Sequence, residues 1–228
     1  MKEGITMEKI YSDIQALFGL DEPCPLTDKQ IADIREHFGG LPKTLETYYQ
    51  LCGGCEPMNS AQDFLLTADK QYGNYDLKRW NYDDYCVFYV ENQCVSVWAF
   101  KKSDIDKDDP PVYETYDDGK TWYETCGKMS KFLISHAYLH AVFSFEVCDE
   151  DFFEADEEQV QEIAEKFPHA NADSQLYTGV QFYQPYPDTV ISVMKNGEDG
   201  YQVMFASQDE EHYDEIADIL YDIFGYEE

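Results

Sequence analysis

The chain predicts an α+β fold: N-terminal helices packed on a mainly antiparallel sheet, then a smaller acidic helix–three-strand–helix block. Two observations lead there. Segments near both ends repeat apolar residues at helical spacing. Between them lie short runs rich in β-branched and aromatic residues, bounded by Asn, Asp and Gly. Aromatic residues make up 16% of the 228 residues, including 19 Tyr and 14 Phe. That is enough apolar surface for a core, so the high charge does not mark a disordered chain.

The elements follow in order. Met7–Phe18 reads as an amphipathic helix with Ile10, Ile14, Leu17 and Phe18 inward. Thr27 and Gln30 have the spacing of a capping box and start a helix that ends at Phe38, before Gly39-Gly40. Pro42 suits the first position of the next helix, where a missing N–H has no intrahelical partner. Leu45, Tyr48, Tyr49 and Leu51 fall on one broad face of that helix, and Gly53-Gly54 ends it, a place where glycine permits a left-handed turn. Tyr85–Val90 and Gln93–Phe100 read as strands joined by a tight turn at Glu91-Asn92. Pro110 and Pro111 hold the next segment to an edge or entry position of the sheet. Val112–Tyr116 is then a strand closed by Asp117-Asp118-Gly119, and Ser130–Ser144 a helix.

The pattern changes near Phe145–Asp151, which divides the chain into residues 1–147 and 148–228. Downstream, Asp156–Phe167 is an acidic helix with Val160, Ile163, Ala164 and Phe167 as its apolar stripe. Leu176–Tyr183, Thr189–Lys195 and Tyr201–Ser207 read as strands, with Asn196-Gly197 and Asp199-Gly200 turning between the last two. Glu210–Phe224 closes the chain as a helix with Tyr213, Ile216, Ala217, Leu220 and Phe224 inward. A block of this size is near the limit for independent folding, so it reads as a small domain or a packed extension.

Residues 31–54, IADIREHFGGLPKTLETYYQLCGG, combine a helix, a glycine turn, Leu-Pro, a tyrosine-rich helix and a glycine pair. With Val87–Phe100, DDPPV at 108–112, Trp122 and the helical segment 129–143, this order resembles the SUKH superfamily over roughly residues 7–145. The resemblance implies the fold given above and a non-catalytic protein-binding role. Many bacterial members resemble immunity proteins that bind and neutralise a toxin domain. A regulatory scaffold in a signalling assembly is the alternative the same resemblance offers, and an enzyme with a site hidden from sequence is a third.

Residue chemistry offers no catalytic, cofactor-binding or metal motif. The seven cysteines, at 24, 52, 55, 86, 94, 126 and 148, have no regular framework and read as reduced thiols. Cys52-Gly-Gly-Cys55 follows a helix, whereas a redox pair opens one, and no second pair completes a zinc site. Asp104–Asp108 begins like a calcium loop but has Asp109 and Thr115 where Gly and Glu belong. His136 and His140 share a helix face without the Glu of a metalloprotease motif, and read as core-edge or surface residues. No Walker, Rossmann or nucleophile-elbow pattern occurs. No run approaches membrane-spanning length and the N-terminus lacks a signal-like apolar core, so a cytoplasmic chain is expected.

Charge is the remaining signal. The net charge is −31, from 47 acidic and 16 basic residues. Residues 1–145 hold 24 acidic and 14 basic side chains, whereas residues 146–228 hold 23 acidic and 2 basic, Lys166 and Lys195. Such a chain is a poor nucleic-acid binder, because phosphate contacts need clustered Lys and Arg. It attracts a cationic protein instead. Glu154, Asp156, Glu157 and Glu158, and Asp209, Glu210, Glu211 and Asp214, are the candidate contact residues. Their position at helix starts also complements the helix dipole.

Overall fold

The computed structural model describes residues 7–73, 75–148, 152–170, 172, 179–197 and 200–226, with side chains from residue 11 onward. The side chain of Ile10, the predicted strand start at Leu176 and the turn residue Asp199 lie outside the described residues. Within them the chain is mixed α+β, with helices packed on two antiparallel sheets.

Helix α1 (Met7–Leu17) buries Tyr11, Ile14 and Leu17. Helix α2 (Asp28–Phe38) carries the expected capping box: Gln30 N–H donates to Thr27 Oγ1 at 3.3 Å, and Thr27 N–H to Gln30 Oε1 at 2.8 Å. It ends on Gly39, which is left-handed at φ 80°. Helix α3 (Lys43–Leu51) starts one residue later than expected. Pro42 is its N-cap, with ψ 142°, rather than its first helical residue. Leu45, Tyr48 and Tyr49 are buried as their spacing predicts, and Leu51 is half-buried.

The glycine pair after α3 does not make the left-handed turn expected of it, since neither residue has a positive φ. It allows close approach instead. A Cβ on Gly54 would lie 2.4 Å from the Pro25 carbonyl oxygen, and one on Gly53 2.8 Å from Tyr49 Cα. Residues 24–26 therefore run hard against the end of α3, with Leu26 N–H donating to Tyr49 O at 2.9 Å and Gly54 N–H to Cys24 O at 2.7 Å.

After the short α4 (Glu56–Ser60) comes the first sheet. Its strands β1 (Phe64–Leu65), β2 (Tyr85–Val90), β3 (Val97–Lys101), β4 (Val112–Thr115) and β5 (Tyr123–Cys126) lie antiparallel in chain order. The β2–β3 connection is wider than the predicted two-residue turn. Glu91 folds it by accepting from the N–H groups of Gln93 (2.9 Å) and Val95 (3.0 Å), with Cys94 left-handed at φ 59°. Pro110 and Pro111 sit at the entry to β4, which is an inner strand.

Helix α5 (Met129–Ser144) starts where the Asp109 carboxylate accepts from Ser130 N–H at 2.8 Å and Ser130 Oγ at 2.7 Å. Its sequence has no polar face, and the structure buries it on opposite sides. Phe132 meets Phe88 and Trp98 of the first sheet, at ring separations of 5.5 and 5.7 Å. Tyr138 meets Phe182 of the second sheet at 5.5 Å. Helices α1, α3 and α4 flank it in the same layer.

The second sheet holds β6 (Val147–Cys148), β7 (Phe153–Ala155), β8 (Val180–Tyr183), β9 (Thr189–Asn196) and β10 (Gly200–Ser207). Its order is β6–β10–β9–β8, with β7 pairing another stretch of β10. Thus two short strands join the three that were predicted. Alternate residues divide its faces. Val190 and Ala206 join the core around α5, while Ile191, Val193, Val203 and Phe205 face α6 (Glu157–Lys166) and α7 (Glu210–Phe224). Ile163, Phe167, Ile216, Ala217 and Leu220 are buried there. Ala164 is exposed, a correction to its predicted place in the apolar stripe, because the stripe of α6 is narrower than a full core-facing face. The order of layers is first sheet, α5 with its neighbours, second sheet, then α6 and α7.

Candidate protein-binding surfaces

The outermost layer carries the predicted contact residues. Glu154 lies on β7 and is exposed. Asp156 caps α6, accepting from Gln159 N–H at 2.9 Å, while Gln159 Oε1 accepts from Asp156 N–H at 3.0 Å. Glu157 and Glu158 form the exposed first turn. Asp209 caps α7 by accepting from His212 N–H at 3.0 Å, and Glu210, Glu211 and Asp214 follow it, all exposed. Asp156 and Asp209 therefore have local structural work, and the glutamates around them do not need it.

The structure does not bring the two clusters together. Gln159 Nε2 donates to Ile223 O at 3.1 Å, which sets the start of α6 beside the end of α7. The start of α7 is one helix length away, roughly 22 Å at about 1.5 Å per residue. What joins the clusters is the outer surface between them: Glu162 and Glu165 on α6, and Glu215, Asp218 and Asp222 on α7, are also exposed. Lys166 is the only lysine or arginine on either helix, and its ammonium lies 3.5 Å from Glu162. The residues expected from sequence are the ends of this acidic layer; its middle was not among them, although the spacing of carboxylates along α7 encodes it.

Chemical alternatives are poorly supported by geometry. His136 and His140 are fully buried, not at the core edge or surface, because both face the first sheet, His136 against Tyr89 and Trp98 and His140 against Tyr89 and the backbone of Ala61 and Asp63. His136 Nε2 is 3.4 Å from Asp63 Oδ2, and Asp63 Oδ1 accepts from Asn92 N–H at 3.3 Å. Burial, with His136 nearby, holds the His140 imidazole down at about 3, so the ring is neutral. Both rings are closed off from solvent. A second histidine–carboxylate pair, His212 Nδ1 with Asp188 Oδ1 at 2.9 Å, is partly exposed under the stacked ring of Tyr186. Thr189 Oγ1 donates to the same Asp188 carboxylate at 3.1 Å, Ser207 Oγ lies 2.8 Å from Thr189 Oγ1, and Ser207 Oγ accepts from Asp209 N–H at 3.2 Å, so the network ties the start of α7 to β9 and β10. Burial pushes the thiols of Cys52 and Cys55 up, the opposite of an activated redox pair. Among the described residues no three His, Cys, Asp or Glu side chains are placed to hold a metal ion. No helix among them is long and apolar enough to cross a membrane.

Open clefts accompany the surface. One of about 400 Å³ lies at the β7 end, lined by Glu154, Asp156, Asn196 and Tyr201. Another, of about 280 Å³, lies between the β2–β3 and β4–β5 connections of the first sheet, lined by Trp80, Tyr82, Val95, Tyr116, Asp117 and Asp118. Val95, Tyr116 and Tyr123 are 63%, 60% and 48% exposed, and they meet at this end of the sheet. Compared with family models, curated proteins and solved structures, the chain finds no match.

Proposed function

We propose that this chain is a non-catalytic protein-binding module of the immunity type, which binds and neutralises a cationic toxin domain. The observation that carries the reading is the α6/α7 layer, an exposed face of carboxylates with a single lysine. An acidic field of that extent draws a basic partner in by long-range attraction and repels acidic ones. The helix–glycine–Leu-Pro–helix arrangement of residues 31–54, which resembles the SUKH superfamily, supports the immunity role specifically. A rigid scaffold suits it, since α5 is clamped between two sheets. Occluding a toxin requires a stable shape and no chemistry. The regulatory-scaffold reading shares these features and differs only in what the partner does.

The test begins with crosslinking capture of the partner from the native cell, followed by expression of that partner with and without this chain. Suppression of the partner's toxicity is the expected result. A partner that is harmless alone turns the reading to the scaffold alternative. Association should slow markedly between about 0.05 and 0.5 M salt, because the Debye length shrinks from roughly 14 Å to a few ångströms. A salt-independent association rate removes the acidic layer from the recognition and leaves it a solubility feature.

A further inference from the structure

We propose that the cleft at the β2–β3/β4–β5 end of the first sheet is a receptor for an arginine or lysine side chain of the basic partner. The proposal rests on the binding role given above and assigns the short-range anchor that a diffuse acidic layer lacks. Several observations meet at this cleft. Its lining combines three aromatic rings, Trp80, Tyr82 and Tyr116, with the smaller side chains of Val95, Ser96 and Thr115. Its rim is acidic, through Asp117 and the exposed Asp118. Aromatic faces and carboxylates together favour a cation over an anion or an alkyl chain.

The site is also built to keep its shape. Tyr116 stacks on Tyr123 of β5 with ring centroids 5.3 Å apart and planes within 6°. Thr115 Oγ1 accepts from Gly119 N–H at 3.1 Å, and Asp117 Oδ1 accepts from Thr121 N–H at 2.9 Å, so the turn is fixed internally. Gly119 is left-handed at φ 78°, and a Cβ there would lie 2.3 Å from the Tyr82 ring. The ring thus locks the turn against the Trp80–Tyr82 segment. Rigid aromatic anchors lose little freedom on binding, which is why they dominate binding energy at interfaces. The Trp80 wall is already engaged, because the chain's own Arg79 lies 5.1 Å from its ring centroid and 4.0 Å from Cys94 Sγ, so an incoming cation is received by Tyr116, Tyr82 and the two aspartates. Although stacked on each other, Tyr116 and Tyr123 remain 60% and 48% exposed, and Val95 63% exposed.

The experiment is an amide NMR titration of the full chain with N-acetyl-arginine methylamide, with the norleucine and glutamine analogues as controls. Saturating shifts at Val95 and Tyr116–Asp118 with the arginine compound, and not with either control, are expected. Tyr116→Ala, and separately Asp118→Asn, which tolerates the positive φ of 57° at that residue, should each weaken apparent affinity by roughly two- to fivefold. Both positions are exposed, so folding is retained and is checked by the unshifted remainder of the spectrum. Arginine-dependent shifts confined to α6 and α7 overturn this proposal while leaving the acidic layer as a binder. Equal shifts with norleucine overturn it as well, since the cleft is then only apolar. Sedimentation showing a dimer that Tyr123→Ser dissociates assigns the patch to a second copy of the chain, and also overturns it.

Discussion

Asn59→Ala tests the polar cluster buried at the end of α3. Asn59 is fully buried, and its side chain serves three groups at once. Its Nδ2 donates to the carbonyls of Cys52 and Cys55, both at 2.8 Å, and its Oδ1 accepts from Tyr48 OH at 2.9 Å. These carbonyls belong to the turn that the Gly53-Gly54 pair threads against Pro25, and each also has a backbone partner: Cys55 N–H donates to Cys52 O at 3.1 Å, and Cys55 O is the N-cap carbonyl of α4. The substitution strands the Tyr48 hydroxyl in a dry environment and removes one bond from each carbonyl, which keeps its backbone partner. At about 1–3 kcal/mol for the unsatisfied hydroxyl and about 0.5–1 kcal/mol for each further bond lost, with partial relaxation, the loss is on the order of 2–4 kcal/mol. For a chain of this length each kcal/mol lowers Tm by roughly 2–4 °C, so a fall of about 4–16 °C is expected. Urea unfolding followed by circular dichroism measures the loss directly. Tyr48→Phe removes one of the three bonds and should cost about 1–2 kcal/mol. In the double variant the hydroxyl is no longer stranded, so the two costs should fall short of additive by about 1 kcal/mol. Strict additivity, or an Asn59→Ala variant that melts within about 2 °C of the parent, refutes the reasoning.

Further predictions concern the same interior. Gly54→Ala should be at least as damaging as Asn59→Ala, because the new methyl meets backbone oxygens of Pro25 and Cys24 at 2.4 and 3.0 Å rather than a side chain that can rotate away; a soluble variant with unchanged urea midpoint contradicts this. The buried His140 has its pKa pushed down to about 3 from an ordinary value near 6.5, so the unfolded chain binds the proton more readily. Its contribution is complete above about pH 6.5 and is lost as pH falls toward 3, at about 1.4 kcal/mol per pH unit. Stability of the parent minus that of His140→Gln, measured by urea unfolding from pH 7 to 4, should therefore decline with falling pH, and a flat difference contradicts the burial argument. Cys148 is exposed whereas Cys52 and Cys55 are buried, and burial raises both of their thiols above the ordinary range. A disulfide reagent should label Cys148 in the native protein and Cys52 and Cys55 only on unfolding, as mass spectrometry of digests can show.

What was legible in the sequence is what is determined locally. Thr27 with Gln30 and Asp156 with Gln159 announce their helices because the capping bonds close within one turn. Strands β2, β9 and β10 are long enough to show composition, whereas β1 and β6 have 2 residues each and exist only because a neighbour pairs with them. The glycine pair at 53–54 was legible as a constraint, but its cause lies in Pro25, which no local pattern connects to it. The histidines of α5 were placed on one face correctly. Their burial depends on Tyr89 and Trp98 of the first sheet packing on that face and on Asp63 meeting His136, both long-range events. Of the candidate surface, charge was legible and shape was not. The Tyr116–Tyr123 stack follows from the β4–β5 register, which sets Glu114 opposite Tyr123, and that register is not written in either strand alone.

The two candidate surfaces lie on different sides of the layered body, and this separation has a kinetic consequence. Packed layers are spaced by roughly 10 Å, so the outer face of α6 and α7 is about 30 Å from the first sheet. A standard interface takes about 800 Å² from each partner, a patch of similar breadth, so a compact partner seated on the cleft leaves much of the acidic layer uncovered. The layer then acts at a distance, on the rate of encounter, and the cleft acts in contact, on the lifetime of the complex. Replacing Glu157, Glu158, Glu211 and Asp214 with their amides should slow association with the captured partner and flatten its salt dependence, with dissociation little changed. Tyr116→Ala should do the reverse, speeding dissociation at nearly constant association rate. Surface plasmon resonance on both variants separates the two effects. If the amide variant instead dissociates faster and Tyr116→Ala changes nothing, the partner sits on the helices, and the aromatic end of the first sheet has another occupant or none.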